Sequence, residues 1–279
     1  MARADRPALP YRGDGAGLPA GIPLPPAPMP AWHHGRPLKR WCYVGVFGPS
    51  LSWCCGVVHV AGMAQTFWGA WDRATLVERT RVLRTRGVTV TPSAVEVAGV
   101  ASLTLVTAGD PVEVVSAHGR AHVWTRKTPV RATGTVTVAG RTHAVDADGL
   151  VDETAGYHAR RTAWSWSAGV GRATDGRRVA WNLVDGIHDA PRGSERTVWC
   201  DGVAAEVGAV TFSGDLDDVA FASGEHLRFT SEATRRRRDR LVLVSSDYVQ
   251  PFGVFTGGLP GGVTIAEGYG VMERHRARW

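Results

Sequence analysis

From Lys39 onward a glycine interrupts the chain every several residues, and the runs between are short and rich in Val, Thr, Trp and Tyr. Runs of that length, bounded by turn formers, read as antiparallel strands. The spacing predicts a succession of them from 40–47 through 130–138 and on from 142–145 to 262–274. Only 72–86 carries a helical period, and its Thr and Val content suits a strand equally well. The body is therefore expected to be all-β. At 279 residues and 44% hydrophobic it can bury a core of ordinary relative size.

Upstream, Pro7, Pro10, Pro19, Pro23, Pro25, Pro26, Pro28, Pro30 and Pro37 are too closely spaced for helix or sheet. Residues 1–38 are read as an extended Pro-rich arm, with Leu24, Met29 and Trp32 lying against the body. The remainder divides into β domains at 39–135 and 136–279.

Two dipeptides suggest register. Asp175-Gly176 and Asp201-Gly202 each separate two strand-like runs and suit a two-residue type I′ turn. With Asp175 and Gly176 as the loop, Trp166 faces Asp185, and Trp164, Trp166, Ala168, Val170, Trp181, Leu183 and Asp185 share one face. A carboxylate on so aromatic a face needs a partner or a proton. Extending the strand backwards offers His158, so His158 and Asp185 are the candidate acid–base pair; the alternative is that Asp185 ends the strand and caps the following turn. Trp164, Trp166, Trp181, Leu183 and His188 would line a ligand cavity. In the closing run, alternation places Ile265, Glu267, Tyr269, Val271 and Glu273 together, with Glu267 and Tyr269 as a second polar anchor.

Of 32 basic residues only Lys39 and Lys127 are lysine, and the net charge is +6. An Arg excess beside abundant Ala, Gly and Val does not by itself indicate nucleic-acid binding. The Arg235–Arg238 and Arg240 cluster reads as a solvated hairpin end, or else as a phosphate or acidic-partner site. Cys42, Cys54, Cys55 and Cys200 have no CxxC spacing, so no disulfide framework or metal is expected, and Cys54 and Cys55 should point to opposite faces of a strand. Phosphate-loop, nucleophile-elbow and dinucleotide motifs are absent, and no cofactor is expected. There is neither a signal-peptide core nor an apolar run long enough to span a membrane, and the expected location is the cytoplasm.

Gly156-Tyr157-His158 followed by Trp164-Ser165-Trp166, Arg178-Val179-Ala180-Trp181-Asn182 and the closing Glu267-Gly268-Tyr269-Gly270-Val271-Met272-Glu273 resemble a bacterial domain-of-unknown-function family. The Gly-Tyr-His step and the terminal Gly-Tyr before Glu are also similar to the tandem lipocalin-like superfamily of AttH proteins, carotenoid 1,2-hydratases and Diels-Alderase-type cyclases. That resemblance implies two lipocalin-like β-barrels in tandem, with an apolar ligand in a barrel or at their junction. Ala159-Arg160-Arg161 follow His158 where the hydratase pattern has further acid and His residues, so only His158 and the flanking tryptophans carry over. Two readings result: a cofactor-independent lyase or isomerase that cyclises, isomerises or hydrates a lipid, terpenoid or polyketide, and a non-catalytic carrier of such a molecule.

Overall fold

The computed structural model describes residues 9–240 and 245–278. The arm holds three short strands, β1 (Tyr11–Gly13), β2 (Trp32–His33) and β3 (Arg36–Pro37). The next ten are β4 (Lys39–Phe47), β5 (Ser52–Val60), β6 (Met63–Trp71), β7 (Leu76–Val82), β8 (Val88–Val90), β9 (Ala94–Val97), β10 (Ala101–Thr107), β11 (Val112–His118), β12 (Ala121–Val138) and β13 (Arg141–Gly156). The last nine are β14 (Arg161–Ala173), β15 (Arg178–Asp185), β16 (Thr197–Cys200), β17 (Val203–Glu206), β18 (Val210–Phe212), β19 (Asp218–Phe221), β20 (His226–Arg240), β21 (Ser245–Leu259) and β22 (Val263–Arg278). Among the described residues there is no helix, so none could cross a membrane.

The two sheets repeat one topology. The first runs β7-β6-β5-β4-β13-β12-β10-β9-β8 and the second β17-β16-β15-β14-β22-β21-β20-β19-β18. In each, four meandering strands are followed by a second meander whose last strand returns to lie beside the first. Each sheet curls into a half-barrel, with β8 packed across β4 and β5 and β18 across β15. The long strand β12 pairs β11 along its first half and β10 along its second, and β1 of the arm extends β11. Because β12 and β13 pair throughout and β13 joins β4, the first sheet ends at Gly156. The expected boundary at 135/136 falls inside β12, and the division lies in the 157–160 connection.

Each half-barrel is filled by its own side chains. Val44, Trp53, Cys55 and Leu103 belong to the first core, and Trp181, Leu183, Phe229, Phe255 and Met272 to the second. A third cluster lies between the sheets, formed by Tyr43, Phe47, Cys54, Val114, Leu150, Trp166, Phe252 and Val271. Cys54 and Cys55 thus serve different cores, as alternation requires. The arm covers the first sheet with Leu24, packed against Val115 and Trp124.

Two hairpins show how a turn sets a face. At Asp201-Gly202 both residues have positive φ, and Cys200 pairs directly with Val203, so the type I′ reading holds. At Asp175-Gly176 only Gly176 has positive φ, Gly176 N–H donates to Ala173 O, and the last strand pair is Arg172–Arg178. This wider loop shifts the register by one residue. Trp166 faces Val184, Ser165 faces Asp185, and Ser167 faces Leu183. Trp181 and Leu183 therefore turn into the second core, while Trp164 and Trp166 turn towards the other sheet.

Candidate functional site between the two sheets

The face that β22 turns towards the first sheet carries Tyr269, Val271 and Glu273. A bulge near Ala266 breaks strict alternation, so Ile265 joins the second core while Glu267 is exposed. Glu273 is buried among aromatic side chains. Its Oε1 accepts from Trp164 Nε1 at 2.8 Å and its Oε2 from Gln250 Nε2 at 3.0 Å. Burial pushes its pKa up to about 7, and Asp152 adds to the rise, against the pull of those hydrogen bonds and of Arg235. At neutral pH such a carboxyl group can either give or take a proton.

Arg235 reaches the same place from β20. Its guanidinium donates to Gln250 Oε1 at 2.7 Å and to Glu78 Oε2 at 2.9 Å, and approaches Cys54 Sγ at 3.0 Å. It lies over the Phe67 ring at 5.3 Å. Alternation along β20 turns this one arginine inwards, so the Arg235–Arg240 run is not a uniformly solvated end. Tyr43 is packed edge-on to Trp166, and its buried hydroxyl, close to the Cys54 thiol, has no hydrogen-bond partner among the described residues.

A second buried polar cluster adjoins the first. Lys127 Nζ lies 2.6 Å from Asp152 Oδ2 and 3.5 Å from Glu195 Oε2, and all three side chains are nearly inaccessible. Asn182 connects the clusters, accepting from Trp166 Nε1 at 2.8 Å and donating to Glu195 O at 3.0 Å. Burial pushes the Asp152 and Glu195 carboxyls up although Lys127 pulls both down. For Lys127, burial works against the charge, but the two carboxylates outweigh it and hold the ammonium above its ordinary value. One cation facing two carboxyl groups leaves this cluster retaining a proton above the usual carboxylate range.

His188 lies beside this cluster, with Nδ1 2.8 Å from Ser116 Oγ. Burial and then Lys127 bring its pKa down to about 3. His158 is buried against Trp41, with both ring nitrogens unsatisfied apart from a loose approach to the Gly156 backbone. Burial, then His188 and Lys39, hold it neutral.

The expected His158–Asp185 pair does not form. Asp185 is exposed at the end of β15, and the register shift takes it off the Trp164–Trp166 face. Trp181 and Leu183 are plain core. Trp164, Trp166 and His188 do lie at the junction, and Tyr269 sits half-buried at its rim beneath Arg73, 5.0 Å from the ring centroid. Burial, then Glu267, raises the Tyr269 pKa to about 12. Sequence reasoning missed Lys127, Asp152, Glu195, Gln250 and Glu273 as site residues, and weighed Arg235 only within its arginine run, as a phosphate or acidic-partner site. One signal was available: a chain that otherwise uses arginine has lysine at only two positions, and an ammonium suits a compact interior pair; both lysines are buried. Among the described residues no three His, Cys, Asp or Glu side chains converge as a metal site.

Residues 91–279 match a family described as Domain of unknown function (DUF2804), a span that includes Lys127, Asp152, Glu195, Arg235 and Glu273. The chain belongs to that family. No curated protein matches it in sequence. Among solved structures, a protein described as an AttH from Nitrosomonas europaea superposes with a TM-score of 0.51 at 12% identity, covering 91% of this chain and 98% of that one. This likeness shows the fold of this family member to be the tandem lipocalin-like one. Kievitone hydratase from Nectria haematococca gives a TM-score of 0.44 at 11% identity, covering 85% of this chain and 88% of its own. CghA, crystallised with Sch210972, gives 0.41 at 11%, covering 86% and 88%.

Proposed function

We propose that this chain binds a hydrophobic small molecule at the junction of its two sheets and carries out a cofactor-independent proton transfer on it, as in an isomerisation, hydration or cyclisation. The observation that carries this reading is Glu273, a buried carboxyl group with a pKa of about 7, held by Trp164 and Gln250 in an aromatic setting. Both half-barrels are filled by their own side chains, which favours the junction over a barrel lumen. Protonated Glu273 would give its proton to a double bond or leaving oxygen, and the resulting carboxylate would later take one back. The π-faces of Trp164 and Trp166 suit a cationic transition state. Half-buried Trp71, Trp164 and Tyr269 would form the entrance.

The test begins with mass spectrometry of an organic extract of the purified chain, followed by turnover assays on the compound found. Turnover should follow one ionisation near pH 7. Glu273→Gln should lower kcat by about 100-fold, the usual contribution of an acid–base group, and leave binding nearly intact. Binding without turnover in the unaltered chain would instead identify a carrier, and turnover unchanged in the variant would exclude Glu273.

A further inference from the structure

The side of the second sheet that lines its own core continues past that core at one end as an open cleft of ≈ 490 Å³. Strand pairing places its side chains in two rungs. Arg238, Asp247, Arg276 and Ala163 face one another across β20, β21, β22 and β14, and in the next rung Ser245, Arg278 and Arg161 do so across the last three. Arg238 is neutralised by Asp247, with Nε–H donating to Oδ2 at 3.1 Å. Arg161, Arg276 and Arg278 are exposed and have no ion-pair partner among the described residues. Arg161 and Arg278 are directly opposed, an arrangement that costs stability in an antiparallel pair. Like charges kept together at a cost, and concave rather than dispersed, mark a place where an anion supplies the missing charge. Guanidinium groups match phosphate oxygens bidentately, and Ser245, opposite Arg278, lines the same cleft.

We propose that this cleft binds a phosphate or diphosphate group, separately from the junction site. Calorimetric titration of the full chain with inorganic pyrophosphate should show saturable binding that weakens as salt is added. Arg161→Gln and Arg276→Gln should each weaken it by about tenfold or more, the loss of one charge-assisted pair. Arg161→Gln should also leave the ligand-free melting temperature unchanged or raised, because it relieves repulsion with Arg278; a purely structural arginine would do the opposite. Sedimentation with phosphatidic acid vesicles, against phosphatidylcholine vesicles, distinguishes a lipid headgroup from a free phosphate as the source. Binding to either probe that both substitutions weaken supports the cleft. Binding to neither, or binding that both variants retain, overturns it.

Discussion

The Glu273 carboxyl binds its proton more tightly in the folded chain, near pH 7, than its ordinary value of 4.5 would allow unfolded. Between those two values the folded state holds the extra proton, so the carboxyl lowers stability as pH rises through that window. Glu273→Gln removes this dependence. Relative to the unaltered chain it should gain on the order of 3 kcal/mol between pH 4.5 and pH 8, measured by urea unfolding across pH; a difference that did not vary with pH would show the carboxyl to be unperturbed. His158 and His188 act with the opposite sign. Held neutral when folded, they favour the folded state above about pH 6.5, and this is lost as pH falls below it, because the unfolded chain then takes up protons the native one refuses.

Strand β14 and its partner β15 show what one residue of register decides. Trp181 is fully buried against Phe255 in the second core, whereas Trp164 is half-buried at the junction. Trp181→Ala should cost about 3–5 kcal/mol, as large core truncations do. Trp164→Ala should cost clearly less and alter the pH dependence of Glu273 by removing one of its hydrogen bonds. Melting curves of the two variants compare them directly, and equal losses would contradict the opposite-face placement. The alternating pattern of this hairpin was legible in the sequence, but the choice between a two-residue loop and a wider one was not. Asp-Gly suits both, and the backbone at Asp175 takes negative φ while that at Asp201 does not.

Across the whole molecule the two sheets are tied by more than apolar packing. Lys127 of the first meets Glu195 of the second, Glu78 meets Arg235, Asp110 O accepts from Trp199 Nε1, and Arg12 of the arm donates to Thr197 Oγ1. Unfolding should therefore be a single transition, with calorimetric and van't Hoff enthalpies in agreement. Lys127→Met strands Asp152 and Glu195 without their cation, and a loss of about 3–5 kcal/mol is expected. Two resolved transitions in the unaltered chain would show that the sheets fold independently.

Strand class and the aromatic character of 164–166 follow from the sequence alone, because alternation and turn chemistry act within a few residues. The type I′ turn at Asp201-Gly202 was equally local. What brings Lys127 to Glu195 and Arg235 to Glu78 and Cys54 is different in kind, since it depends on how two curled sheets lay their outer faces together. Asp185 looked buried in the sequence and is exposed; Glu273 was grouped with Glu267 on one face, yet Glu273 is buried and Glu267 is exposed. Burial of a charged group is decided by which face meets another layer, and no pattern confined to one hairpin contains that information.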